Sequence, residues 1–83
     1  TGNYYKGTFK DGYRYGKGIY LYKDETQATL HFLNDLPNGK GIIKFNDGET
    51  YEGFFANGLR NGKGTIQFVD GKKFIGNFRD DRS

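Results

Sequence analysis

Apolar and polar side chains alternate along short stretches of the chain, and turn residues separate these stretches. Residues 5–9 alternate strictly, and residues 16–22 are rich in β-branched and aromatic side chains. Asp-Gly pairs or Asp24 follow such runs, as at the ends of strands. No window combines a helical period with a capping residue. The pattern predicts an all-β fold in which short strands form an antiparallel meander.

The alternating stretches recur with a fixed period. Gly-Lys-Gly triplets begin at residues 16, 39 and 62, which are steps of 23 residues, and the same step separates Asp24, Asp47 and Asp70. One such triplet on its own resembles a phosphate-binding loop. Three copies at one phase indicate a structural repeat instead.

The turns between repeats are expected to be tight. Asp47-Gly48 and Asp70-Gly71 have the composition of a type I′ turn, which needs positive φ at both central residues. The equivalent pair is Asp24-Glu25, which lacks glycine, so we expect a distorted or longer turn there. The three aspartates are expected to accept hydrogen bonds from the local backbone rather than to form an acidic site.

Strand alternation assigns most rings to one face of the sheet, which we call the aromatic face. Glycine in a strand costs roughly 0.5–1 kcal/mol relative to alanine, so recurrent glycines indicate that rings lie flat over the backbone. We expect both glycines of each Gly-Lys-Gly to be covered in this way. The predicted rings of a partner-binding groove are Tyr5, Phe9, Tyr20, Tyr22, Phe32, Phe45, Tyr51, Phe55, Phe68, Phe74 and Phe78.

The pattern Tyr-x-Gly-x-Phe-x-x-Gly-x-x-x-Gly-x-Gly, followed by an aromatic residue and Asp-Gly, resembles the MORN (membrane occupation and recognition nexus) repeat. Residues 51–73 match it nearly in full, residues 5–27 match it well, and residues 74–81 resemble the start of a further unit. The resemblance implies an elongated, single-layer antiparallel β-meander of stacked β-hairpins. It also implies a scaffold, dimerisation or targeting module, and the family name reflects a proposed affinity for phospholipid.

The predicted organisation is a single repeat array over residues 1–83. Its repeats cover residues 5–27, 28–50 and 51–73, with a partial repeat at 74–81. The second repeat departs from the pattern at Ala28, Leu30 and Asp35, and we expect a bend or an edge in the groove there. An array of 83 residues without methionine is expected to be part of a larger protein with a thin or shared core.

The composition argues against catalysis and against a cofactor. The chain has no cysteine and one histidine, and its serine is Ser83, so no Ser-His-Asp or Cys-His site can form. Thr1 is better explained by the boundary of the fragment than as an N-terminal nucleophile. His31 has no neighbouring residues suited to share a metal ion. We expect no enzyme activity, no metal and no small-molecule substrate.

Charge offers a second functional hypothesis. The formal net charge is +3, and Lys17, Lys40 and Lys63 share one phase of the repeat. With nearby Arg14 and Arg60 they could contact anionic phospholipid, although a solvated polar face would look the same. Nucleic acid is not expected, because the rings are committed to stacking on one another.

The leading hypothesis is a scaffold that binds a protein or a second copy of itself through the aromatic groove. Phe54, on the opposite face, is a further candidate contact. The alternative is a peripheral module that binds anionic membranes. Either role is expected in the cytoplasm, including the cytoplasmic face of a membrane or the cytoskeleton, because there is no apolar run of membrane-spanning length and no leader.

Overall fold

The computed structural model describes residues 3–80, and these form one open antiparallel sheet. No helix occurs in this range, so the predicted all-β meander of hairpins is confirmed. The strands are β1 (Tyr4–Lys10), β2 (Tyr13–Leu21), β3 (Gln27–Leu33), β4 (Leu36–Pro37), β5 (Gly39–Lys44), β6 (Thr50–Ala56), β7 (Leu59–Gln67) and β8 (Lys73–Phe78).

The strands pair in chain order, β1-β2-β3-β5-β6-β7-β8, while β4 also pairs with β3. β4 and β5 are therefore two segments of one interrupted strand against β3. The molecule measures 40 × 29 × 15 Å. All eight strands of residues 3–80 belong to one sheet, so the fold is a single layer.

The turns inside the repeats are the ones with type I′ geometry. Asp11 and Gly12 have φ values of 53° and 83°, and Asn57 and Gly58 have values of 51° and 87°. The second repeat keeps this turn without glycine, since Asn34 and Asp35 adopt φ values of 49° and 71°. Two-residue loops with positive φ at both positions match the twist of the flanking strands.

The turns between repeats have a different form, so the prediction of type I′ geometry there is wrong. Phe45 N–H donates to the carbonyl of Glu49 (2.8 Å), and Gly48 N–H donates back to Phe45 (3.1 Å). Gly48 has a φ of 95°, whereas Asp47 is not among the positive-φ residues. This is a three-residue loop that ends in one left-handed residue. The turn at Gly71 repeats it.

The turn at Asp24 has the same form, so the expected distortion is also wrong. Glu25 takes the left-handed position with a φ of 75°, and Tyr22 and Thr26 form the closing hydrogen bond (2.9 Å). The side chain of Asp24 accepts from the N–H of Thr26 (2.9 Å), which holds the pKa of that carboxyl below its usual value. Asp47 and Asp70 accept in the same way, which confirms the predicted local role of all three aspartates.

The first glycine of each Gly-Lys-Gly adopts a positive φ and is not covered by a ring. Gly16, Gly39 and Gly62 have φ values of 72°, 86° and 93°. In the first and third repeats the strand register shifts opposite this glycine, as in a β-bulge. A Cβ on Gly16 would have no neighbour within 4 Å. The prediction that rings cover these three glycines is therefore wrong.

The second glycine of the triplet is covered as predicted. A Cβ on Gly64 would lie 2.7 Å from Cε1 of Tyr51, and one on Gly18 would lie 2.6 Å from Cε1 of Tyr5. Tyr51 is fully buried, and its hydroxyl donates to the carbonyl of Phe54 (3.1 Å). The ring therefore lies flat along the backbone with its polar end satisfied.

The core lies on the aromatic face and passes through the second repeat. Its buried apolar residues are Ala28, Leu30, Phe32, Tyr51, Phe55 and Phe78. Leu30 covers Gly41, where a Cβ would come within 2.6 Å of Leu30 Cδ2. Leu30 thus occupies the position over glycine that Tyr5 and Tyr51 occupy in the neighbouring repeats. Leucine therefore takes the place of the missing ring in the core, and the expected bend or edge in the groove stays a prediction.

Candidate functional site

Strand pairing places eight of the eleven predicted groove rings on the aromatic face, and Tyr22, Phe45 and Phe68 directly follow the ends of strands. The eleven rings differ in how far they are buried. Phe32, Tyr51, Phe55 and Phe78 are buried in the core. Tyr5 and Tyr20 are half-buried against it. The remaining five rings are exposed, and they are Phe9, Tyr22, Phe45, Phe68 and Phe74.

Three of the exposed rings form a line at the ends of the strands, and we call them the outer ring row. Tyr22, Phe45 and Phe68 follow β2, β5 and β7 and are 41%, 39% and 38% exposed. Tyr22 and Phe45 line an open depression of about 270 Å³ together with Ile43. Partial burial, and then the neighbouring Tyr20, raise the pKa of the Tyr22 hydroxyl, so this hydroxyl stays protonated at neutral pH.

Two arginines stack on rings of the same face. The guanidinium of Arg14 lies 4.8 Å from the ring centre of Phe32 and 5.5 Å from that of Tyr20. The guanidinium of Arg60 lies 4.9 Å from the ring centre of Phe78. At these distances a cation is attracted to the face of an aromatic ring. Both arginines therefore lie on the face opposite Lys17, Lys40 and Lys63, and contact of these five residues with anionic phospholipid stays a prediction.

Arg14 also joins the first repeat to the second. Its Nε donates to Asp35 Oδ1 (2.6 Å), and a second guanidinium nitrogen donates to the Asp35 carbonyl (2.9 Å). The backbone of Asp35 donates to the Arg14 carbonyl (3.1 Å). The hydrogen bond from Nε, and then one from the Arg14 backbone N–H to Asp35 Oδ1 (3.2 Å), lower the pKa of the Asp35 carboxyl. The sequence gives one sign of this ion pair, because Asp35 occupies a turn position that the repeat pattern assigns to glycine. The repeat pattern does not identify Arg14 as the partner of Asp35.

A second depression of about 360 Å³ opens beside this ion pair. Tyr20, Tyr22 and Phe32 line it on one side, and Leu36 and Pro37 line it on the other. It continues the apolar surface of the aromatic face from the outer ring row toward the turns inside the repeats. The exposed part of the aromatic face thus consists of aromatic rings, with Arg14 beside them in the lining of this depression.

The opposite surface, which we call the reverse face, carries the lysines. Lys17 pairs with His31, Lys40 with Phe54, and Lys63 with Asn77. The three lysines, which we call the lysine row, lie on β2, β5 and β7 and are separated from one another by one intervening strand. Lys40 Nζ is 4.0 Å from Glu52 Oε2, with both side chains exposed.

Phe54 is the apolar centre of the reverse face. It is 46% exposed and lines a shallow depression of about 290 Å³ with Lys40, Lys63 and Thr65. Its position between two lysines of the row agrees with its prediction as a reverse-face residue. Contact with a partner stays a prediction.

The described residues contain no group of three or more histidine, cysteine and acidic side chains placed to hold a metal ion. Nδ1 of His31 lies 2.9 Å from the carbonyl oxygen of Lys40, so the ring is held by the backbone. Thr1, Ser83 and the last residue of the predicted partial repeat, Asp81, lie outside the described residues. Residues 3–80 include no helix of the length and apolarity needed to cross a membrane.

Comparison with known protein families gives one match. The family model for the MORN repeat matches residues 5–27, 31–50 and 51–73. The second match starts after Ala28 and Leu30, the two positions at which the repeat pattern has tyrosine and glycine. No curated protein matches the chain. Repeats of this type are non-catalytic and are generally protein- or membrane-interaction modules, often associated with membranes or the cytoskeleton.

Proposed function

Because the chain belongs to the MORN repeat family, we propose that it is a non-catalytic scaffold or adaptor module that binds a protein partner through the aromatic face. The observation that carries the proposal is the outer ring row. Tyr22, Phe45 and Phe68 recur at the repeat step and keep more than a third of their surface in contact with solvent. Aligned exposed rings are typical of an interaction surface.

The rings that hold the fold together are not the rings that are exposed. Phe32, Tyr51, Phe55 and Phe78 form the core, and a partner could not reach them without unfolding the sheet. The outer ring row contributes less to this core. Its retention in each repeat is therefore better explained by binding than by folding.

The geometry of the row favours a helical partner segment. The three rings follow strands that are two positions apart in the sheet, so neighbouring rings are separated by roughly 9.5 Å. Side chains seven residues apart on a helix are about 10.5 Å apart along its axis. A helix with apolar residues at this spacing can lie across the strand ends and contact the three rings in turn. A second copy of the chain that presents its own row is the alternative occupant.

Selection of helical peptides from a displayed library on the purified protein tests the proposal. The variant Tyr22→Ser/Phe45→Ser/Phe68→Ser is expected to lose at least about tenfold in affinity for the selected peptides, because each buried ring contributes on the order of 1 kcal/mol or more. Phe54→Ser on the reverse face is the matched control and is expected to bind normally. Peptides that bind the triple variant as tightly as the parent protein would exclude this surface.

Light scattering tests the alternative that a second copy of the chain binds the outer ring row. A concentration-dependent dimer that the triple variant abolishes supports pairing through the outer ring row. A dimer that persists in this variant places self-association elsewhere on the sheet.

An anionic membrane is the second candidate partner, and the lysine row is the observation that favours it. Lys17, Lys40 and Lys63 lie on one face, and each basic residue close to an anionic membrane contributes about 1 kcal/mol. Arg14 and Arg60 do not add to that face, since they stack on rings of the other one. Flotation with phosphatidylserine or phosphoinositide vesicles tests it, and the absence of salt-sensitive binding would rule it out.

A further inference from the structure

Charge is segregated on the sheet in a way that the linear sequence hides. Strand pairing places seven lysines at strand positions of the reverse face, against one acidic residue, Glu52, among the described strand residues. The lysines are Lys6, Lys10, Lys17, Lys40, Lys44, Lys63 and Lys73.

The other acidic residues of the described chain lie at the turns. They are Asp11, Asp24, Glu25, Asp35, Asp47, Glu49, Asp70 and Asp80. The turns lie at opposite ends of the strands and form two rims of the sheet. The rim between repeats, at Asp24, Asp47 and Asp70, carries five acidic residues against Lys23 and Lys72, whereas at the other rim Arg14 pairs with Asp35. The reverse face is therefore a basic strip that runs across the strands beside one acidic rim.

Apolar side chains lie among the lysines of this strip. Ile42 is half-buried, and Ile19, Phe54 and Ile75 are 40%, 46% and 64% exposed. Phe54 has Lys40 directly across the strand pair and Lys63 beside it in the same depression. A ligand that follows the lysine row thus meets positive charge and apolar surface in alternation.

We propose that the reverse face binds an acidic, extended protein segment that crosses the strands along the lysine row and contacts Phe54. This site is separate from the outer ring row, which lies on the aromatic face. It gives the array two binding surfaces of different chemistry, one for an apolar partner segment and one for an acidic partner segment.

The acidic rim at Asp24, Asp47 and Asp70 favours a narrow ligand over a planar one. A membrane is wider than the 29 Å dimension of the sheet, so it would approach this rim as well as the strip. Carboxylates at the rim repel anionic headgroups within a screening length of about 8 Å at physiological salt. A single acidic chain that runs along the strip contacts the lysines and avoids the rim.

The apolar side chains favour a protein segment over a nucleic acid. Isoleucines do not provide the flat rings on which bases stack. The reverse face also carries Tyr4, Tyr13 and Tyr15, which are 56%, 53% and 41% exposed, but these rings lie on β1 and β2 at one edge of the sheet. Phe54 is the ring between Lys40 and Lys63, and one ring at that place suits an apolar side chain of a peptide better than a series of bases.

The spacing of the lysine row predicts the spacing of acidic residues in the ligand. Neighbouring lysines of the row are two strands apart, which is roughly 9.5 Å. A polyproline II chain advances about 3.1 Å per residue with three residues per turn, so every third side chain points the same way at about 9.3 Å intervals. Acidic residues at every third position therefore match Lys17, Lys40 and Lys63.

Fluorescence anisotropy with a labelled peptide of repeated Glu-Pro-Leu units tests the proposal. Saturable binding is expected at low salt and is expected to weaken as salt is raised. The double variant Lys40→Glu/Lys63→Glu is expected to lose at least about tenfold in affinity, because two attractions become repulsions. The matched control is Lys23→Glu/Lys72→Glu, which makes the same change of net charge at two turn lysines and is expected to lose much less.

A third variant, Phe54→Ser, tests whether the peptide contacts the apolar side chain as well as the lysines. It is expected to weaken binding of the peptide at all salt concentrations. Four results would overturn the proposal. They are no saturable binding, equal losses in the two double variants, no effect of Phe54→Ser, and tighter binding of phosphatidylserine vesicles or of single-stranded oligonucleotide than of the peptide at the same salt.

Circular dichroism verifies that each variant is folded. The outer-ring triple variant is expected to bind this peptide normally, so failure of one site is distinguishable from failure of the other.

Discussion

Gly53 lies at the centre of the sheet, beside Gly64 of the neighbouring strand and under the ring of Tyr51. A Cβ added to Gly53 would come within 2.6 Å of Gly64 Cα and 2.7 Å of the Lys63 carbonyl oxygen. Both are backbone atoms, which cannot move without displacing the strand. Tyr51 is fully buried and has no space to move into. Gly53→Ala is therefore expected to disrupt the packing of this ring and its strand pair.

The magnitude follows from two opposing effects. Overpacking in a tight core costs about 1–3 kcal/mol, and contact with backbone on two sides favours the upper end. Alanine regains roughly 0.5–1 kcal/mol over glycine in a strand. We expect a net loss of about 2 kcal/mol in the free energy of unfolding. For a domain of this size that lowers Tm by roughly 8–16 °C.

Gly76→Ala is the matched control at the edge of the array. Its Cβ would come within 2.9 Å of Phe74 Cζ, but Phe74 is 41% exposed on the last strand, so the ring can turn away. The expected change is within about 1 kcal/mol of zero. Thermal and urea unfolding followed by circular dichroism measure both variants. Equal effects of the two substitutions would refute the explanation that ring packing over central glycines holds the array together.

Three further predictions concern the second repeat and its turns, each measured by urea unfolding. Glu25→Gly is expected to stabilise the protein by about 1 kcal/mol, because glycine adopts the left-handed φ of 75° at Glu25 without strain; a loss of stability would contradict this. Leu30→Ala is expected to cost about 2–5 kcal/mol, because it empties the space above Gly41; a loss under about 1 kcal/mol would show that this space is not closely packed. Asp35→Asn is expected to destabilise the protein at neutral pH. Because Arg14 lowers the folded-state pKa of Asp35, this contribution is present above the unfolded pKa of about 3.9 and is lost as pH falls through the folded value. A difference between Asp35→Asn and the parent that persists at low pH would contradict the ion pair as its source.

The repeat period explains why the sheet and its faces could be predicted. A step of 23 residues without insertions fixes the register of each hairpin against the next, and alternation then assigns side chains to faces. Tyr51 and Phe78 were placed on the aromatic face in this way. The local role of Asp24 could also be predicted, because an aspartate side chain reaches the N–H two residues on without any tertiary contact.

The turn types could not be assigned by composition alone. Asp-Gly is compatible with a two-residue loop and with the last positions of a three-residue loop. The choice depends on which residues of the flanking strands close the loop, and here Phe45 closes it with Glu49 and Phe68 with Lys72. Composition also fails to assign the turn at Glu25, since the surrounding hydrogen bonds hold a non-glycine residue at positive φ.

The arginine positions and the charged strip depend on contacts between repeats. Arg14 and Lys17 are close in sequence and both basic, so composition groups them together. The bulge between them and the neighbouring rings place Arg14 over Phe32 and leave Lys17 on the other face. The separation of lysines on the strands from acidic residues at the turns can also be seen only once the strands are paired. Along the sequence, acidic and basic residues are interspersed.

Nuclear magnetic resonance mapping of a selected helical peptide on the labelled protein tests the proposed scaffold function most directly. We predict that the largest amide shifts occur at and beside Tyr22, Phe45 and Phe68, while Lys40 and Phe54 change little. Shifts concentrated on the reverse face, with the outer ring row unchanged, would contradict the assignment of the aromatic face as the partner-binding surface.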